Sequence, residues 1–227
     1  MTNMLSLFQL CDSNLPTGGF SHSFGLETYI QENKVMDKTS FSTWLKMYLD
    51  EQLVYSDGLA CRLVYEALAN EDYQKIWDLD RRITVQNLSR ETREGAHKMG
   101  ERMLTIGVEL YPNPLLVTYK ERVSKDLSFG HSAIVFSIIA FQLDIPKNLG
   151  ISAFLYSSIS GLVQNGVRGI PLGQTAGQQL LREFQSYIQE ATNKIGYLSE
   201  EDFGAVAPGL EIAQMKHERV NIRIFMS

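Results

Sequence analysis

Ser21 and His22 stand side by side within Gly19-Phe20-Ser21-His22-Ser23. A serine next to an imidazole is the pairing that activates a hydroxyl nucleophile for acyl transfer. A nucleophile elbow would need GxSxG, and Ser23 occupies the place of the second glycine. Residues adjacent in sequence rarely face each other as nucleophile and base, so a serine-dependent hydrolase is only the alternative reading. The histidines His22, His97, His131 and His217 are single and scattered, with no HxxxH or CxxC pair. Direct binding of a metal ion through His22, His131 or His217 is a second alternative, weaker than four surface or hydrogen-bonded structural histidines. Glu91, Glu94 and Glu101 alternate with Arg90, Arg93, Lys98 and Arg102, the pattern of a solvated helix face laced with ion pairs. No GxxxxGK[ST] lysine follows Gly18, Gly19, Gly25, Gly169, Gly173 or Gly177, which argues against a nucleotide-hydrolysing phosphate loop. The residue types and spacings thus assign no catalytic, cofactor or metal site.

The elements that must position these residues read as helices. The 227 residues are enough for one substantial core, and 44% apolar with 21% charged residues is an ordinary globular balance. A net charge of -5 gives no support to nucleic-acid or anionic-membrane binding. Cys11 and Cys61 are too few and too distant in sequence for a disulfide framework. The most apolar run, Ala133–Leu143, is about half the roughly 20 residues that a membrane-spanning helix needs, and the N-terminus has no signal-peptide pattern. A cytoplasmic location follows as the expectation.

Apolar residues recur at helical spacing in Phe41–Leu53, with Ser40 as the expected N-cap. Further stripes run through Leu59–Leu68, Tyr73–Ile83, Leu88–Val108 and Gln174–Ile195, and Pro112 and Pro114 end the Leu88–Val108 helix. His131–Leu143 and Leu149–Val163 are apolar all round and should be central; Pro208 should open a last short helix. Strand signals are weak, and Asn165-Gly166 reads as a helix end. The expectation is one all-α domain, residues 1–227, of about eight to ten helices.

Two glycine-rich stretches and the tail remain. In LPTGGFSHSFGLE (Leu15–Glu27) a turn leads to a helix from about Ser23, capped by Ser21 or Ser23 and carrying Phe24 in its first turn. Phe20 and Phe24 are either core residues or part of a recognition patch. In VQNGVRGIPLGQTAGQQLL (Val163–Leu181) one helix breaks at Gly166–Pro171 and another starts at Gly173 or Gln174. The apolar ending of KHERVNIRIFMS (Lys216–Ser227) must be docked onto something.

LPTGGFSHSFGLE, SRETREGAHKMGERML, FLYSSISGLVQNGVRGIPLGQTAGQQLL and APGLEIAQMKHERVNIRIFMS together resemble the urease accessory protein F family, in its order and spacing and over nearly the whole chain. The resemblance implies a non-enzymatic, all-helical maturation factor that forms homodimers. It would bridge the accessory scaffold D (or H) and the nickel-carrying GTPase G, and act on apo-urease as nickel is loaded. Carried over by residue, Pro16, Gly18, Phe20, Ser21, Gly25, Leu26 and Glu27 match the family's N-terminal motif, at the surface that receives the GTPase. His22 stands where tyrosine is also frequent. Pro171, Leu172, Gln174 and Gly177 match the PLGQ-type motif, His217 and Glu218 the HE pair, and Arg223 an arginine of the terminal segment. Asn221 and Ile222 depart from the Tyr-Ser that often precedes that arginine. The resemblance places the tail on its own domain beside the partner site. A weaker implication is that Arg168 or Arg223 acts in trans on GTP hydrolysis.

Overall fold

The helical periodicity of the sequence is realised throughout the computed structural model, which describes residues 2–205, 207–220 and 223–227. Asn221 and Ile222 lie outside the described residues. Among the described residues there are eleven α-helices and no strand. They are α1 (Thr2–Leu10), α2 (Leu26–Gln31), α3 (Lys38–Met47), α4 (Leu59–Ala69), α5 (Tyr73–Val85) and α6 (Arg90–Leu110), followed by α7 (Pro114–Ser124), α8 (Ser132–Gln142), α9 (Lys147–Gly169), α10 (Gln174–Tyr197) and α11 (Pro208–His217). A π-helical segment, Tyr48–Gly58, joins α3 to α4 without a break. Counted as one rod, the three bring the total into the expected range.

Of the two runs expected at the centre, that of α8 is buried on every side from Ala133 to Ala140, whereas that of α9 keeps Leu149 and Tyr156 exposed. Ile134, Val135, Phe136, Ile138 and Ile139 of α8 are buried, with α4 and α6 packed against that helix. α9 lies along α10 and reaches the π segment and α4. One apolar core runs from Leu7 to Leu210 in sequence. No described helix is long and apolar enough to cross a membrane.

Local chemistry corrects several boundaries. The N-cap of α3 is Asp37, three residues earlier than Ser40: its carboxylate accepts the Ser40 backbone N–H at 2.8 Å. Ser40 answers as the third residue of the helix, its hydroxyl accepting the Asp37 N–H at 3.1 Å, which is a capping box. Asn165-Gly166 does not end a helix; α9 runs on to Gly169. Gly166 serves close packing, since a Cβ there would lie 2.2 Å from a Phe41 ring carbon. Phe24 precedes α2, with φ +53°, and is not part of its first turn. Helices α1 and α7 were not expected from periodicity. Pro112 and Pro114 do stop α6, and Pro114 then opens α7 with Asn113 as its cap.

Candidate partner interface

The glycine-rich loop lies between α1 and α2, and the last turns of α9 hold it. The Asn165 side-chain amide donates to the His22 carbonyl at 2.8 Å, and Arg168 donates to the Phe20 carbonyl at 2.8 Å. These bonds fix a single 3₁₀ turn, Gly19–Ser21, with Gly18 before it in the left-handed region at φ +85°. Phe20 is thereby carried outward and is 63% exposed, while Phe24 is only partly buried against the core. Phe20 is therefore not a core residue. Gly25, at φ +94°, turns the chain into α2, and a Cβ there would meet the Gln214 side chain at 3.0 Å. Close packing of α11 on α2 depends on that bare backbone. Thr28 Oγ1 donates to the Ala213 carbonyl at 2.7 Å, and the Gln214 amide to the Phe24 carbonyl at 3.3 Å.

This packing brings His217, the last residue of α11, between two acidic side chains. Nε2 lies 2.8 Å from Glu27 of α2, and Nδ1 lies 2.8 Å from Glu91 of α6. The tail closes over the same carboxylates. The Ile224 and Phe225 N–H groups donate to the two Glu27 oxygens at 2.6 and 3.1 Å, and Arg223 donates to Glu91 at 2.7 Å. Arg223 also donates to the Glu218 carbonyl, and the Glu218 side chain pairs with Arg90 at 3.2 Å. Further along, the Met226 N–H donates to the Ser21 carbonyl at 2.7 Å and the Ser23 N–H to the Ser227 carbonyl. The Phe225 ring is buried beneath the Arg168 guanidinium, 5.0 Å from it. The tail is thus docked on the loop and α2, as the resemblance implied.

Electrostatics follow from this enclosure. Burial pushes the Glu91 carboxyl up, but hydrogen bonds from His217 and Arg223 outweigh it and hold the group below the usual glutamate value of 4.5. His22 is held below 6.5, first by burial and then by the nearby charges of Lys98 and His217. Its Nδ1 lies 2.7 Å from the Ser227 hydroxyl; the serine that His22 engages is therefore Ser227, not its neighbour Ser21. His131 caps α8, its Nδ1 accepting the Ala133 N–H at 3.3 Å. No group of three or more His, Cys, Asp or Glu residues among those described is arranged to hold a metal ion.

The site residues read from the sequence separate into two sets. Pro16, Phe20, Pro171, Gln174 and Arg223 are exposed. His22, Gly25, Glu27 and His217 are buried, while Gly18, Ser21 and Glu218 are intermediate, so most of these brace the surface from behind. Pro171 and Gln174 follow Gly169, which abuts the Phe225 ring, so their loop borders the tail. Gly177 packs inside the chain against Val163 and Val167 of α9. Glu91 is a correction: it is not part of a solvated ion-pair face, for its side chain is 15% exposed and closes on His217 and Arg223. Asn165 and Ser227 were not singled out, because one amide and one hydroxyl carry no motif.

Fold and site define a helical protein that holds a loop and a tail together as one braced surface, with an aromatic side chain set outward. A family model described as UreF matches residues 35–185. A protein of Lachnoclostridium phytofermentans named urease accessory protein UreF is 57% identical over 224 residues, covering 99% of this chain and 98% of its own. One of the same name from Bacillus sp. (strain TB-90) is 51% identical over 227 residues, with both chains covered in full. The chain belongs to the UreF family of urease accessory proteins.

Proposed function

We propose that this protein is a non-enzymatic scaffold of urease maturation, acting as one unit over residues 1–227 and as a homodimer in the cytoplasm. In this reading it bridges the accessory D (or H) protein and the nickel-carrying GTPase G so that nickel is loaded into apo-urease. The observation that carries it is Phe20, a large apolar side chain left exposed on a loop whose backbone is fastened by Asn165, Arg168 and the tail. A rigid aromatic anchor loses little conformational freedom on binding, and such anchors dominate interfaces. Ile224 and Met226, 52% and 59% exposed, add apolar surface on the tail, whose Met226 N–H is bonded to the carbonyl of Ser21 next to Phe20 in sequence. Pro16, Pro171, Gln174 and Arg223 form its polar and turn-rich margin, while Gly18, Ser21, His22, Gly25, Glu27, His217 and Glu218 shape it. An arginine acting in trans gains no support from the geometry, because Arg168 and Arg223 are both engaged within the chain.

The test is Phe20→Ala. Truncation of a central aromatic anchor costs about 2 kcal/mol or more of binding. Recovery of the GTPase by the tagged variant should fall sharply, while the far-UV circular dichroism and elution volume stay those of the parent. Recovery equal to the parent's would remove Phe20 from the interface.

A further inference from the structure

Arg168 stands in the last turn of α9, where the helix dipole favours a cation. Its side-chain contacts are of another kind. Among the described residues it pairs with no carboxylate. Its guanidinium donates to the Phe20 carbonyl at 2.8 Å and lies within cation–π reach of two rings. The centre of the Phe225 ring is 5.0 Å away and that of the Phe20 ring 6.0 Å. Those two rings make no contact with each other, so the guanidinium is the group they share. The contacts do different things. The carbonyl bond fixes the backbone at Phe20 but leaves its side chain free to turn about χ1. The ring contact discriminates among those rotamers, because only one that sets the ring against the guanidinium gains it. Phe225 gives the cation a fixed base, for its ring is buried and its N–H is bound to Glu27. A long side chain resting on that base gives up the freedom that would otherwise blur its hold on Phe20.

We infer that Arg168 is a positioning residue: it relays the docked tail, through Phe225, to the direction in which the Phe20 ring leaves the loop. An exposed ring without such support samples several rotamers, and a partner that fits one of them meets it only part of the time. The step from an aimed Phe20 to partner capture rests on the function proposed above; the aiming itself does not.

The ¹⁹F resonance of 4-fluorophenylalanine placed at position 20 of the full chain reads the aim directly. Arg168→Met keeps an aliphatic stem and removes the guanidinium, while Asn165 and the Met226 N–H still hold the loop. The resonance should move toward that of the free amino acid and narrow, with the far-UV circular dichroism unchanged. Phe225→Leu keeps an apolar filler and removes the ring, and should shift the resonance the same way with Arg168 still present. Combining the two should add little to either, because both act through one group. A resonance indifferent to Arg168→Met overturns the proposal. So do shifts that simply add, since the tail then reaches Phe20 by a route that bypasses Arg168, such as the Met226 bond to Ser21. Kinetics separate aiming from direct contact, because a residue that only aims the anchor changes association and leaves dissociation alone. With the GTPase as partner, kon of Arg168→Met should fall about two- to fivefold, the factor that an exposed cation–π contact is worth, at constant koff. A raised koff at constant kon makes Arg168 a contact residue and overturns the positioning role. If the ¹⁹F signal shows Phe20 loosened and the GTPase still associates at the parent's rate, the surface assignment fails and the positioning stands.

Discussion

Glu27 lies in the first turn of α2, and its carboxylate meets the His217 ring and two tail N–H groups with almost no water nearby. Removing one member of a buried charged group leaves the others desolvated and unpaired, at a cost of about 3–5 kcal/mol. Glu27→Ala should therefore lower unfolding stability by that amount, read from urea denaturation by tryptophan fluorescence. Glu32 provides the contrast. Hydrogen bonds from Lys216 and Lys34 hold its carboxyl down to about 2, but it sits at the surface, where solvent screens such pairs. Glu32→Ala should leave the urea midpoint where it was, despite that lowered value. Sequence alone singled out Glu27, His217 and Arg223 through their motifs. It offered nothing to separate Glu91 from Glu94 and Glu101, since three glutamates on one charged helix differ only in what the fold sets before them.

Among the elements, those rich in apolar residues were legible: α8 is buried from Ala133 to Ala140, and α9 buries Ile151, Phe154, Leu155, Ile159, Leu162 and Val163 while Gln164 and Arg168 reach solvent. Helices α1 and α7 were not. In α1, Leu7 and Leu10 turn inward while Leu5 and Phe8 stay exposed, so no clean stripe marks it. The π segment escaped for a different reason. Its wider turn breaks the 3.6-residue period within a run that still begins and ends as α-helix. At the head of α3, Asp37 and Ser40 are both good cap residues, and only the reciprocal hydrogen bonds decide between them. Asp37→Ala removes the acceptor for the Ser40 N–H and should cost about 1 kcal/mol in thermal or urea unfolding. No loss beyond that of a surface substitution would return the cap to Ser40.

At the scale of the whole molecule, the tail is what makes the two ends of the chain one surface. Residues 223–227 meet Ser21, His22, Ser23, Glu27, Glu91 and Arg168, and supply acceptors or donors to buried or half-buried groups on three separate elements. Such closure joins residues about two hundred positions apart, so its entropic cost is met only once the helices are in place. The core from Leu7 to Leu210 does not contain the tail, and a chain lacking 223–227 still has that core to bury. Deleting those five residues should therefore preserve the far-UV circular dichroism of a helical protein. It should also lower the urea midpoint, because His22, Glu27 and Glu91 each lose a partner. The loop would lose the Met226 and Ser227 bonds that help hold Phe20 in place, and recovery of the GTPase should drop with it. Full recovery by the shortened chain, with its helical signal intact, would show that Asn165 and Arg168 set the loop by themselves and that the tail serves stability alone.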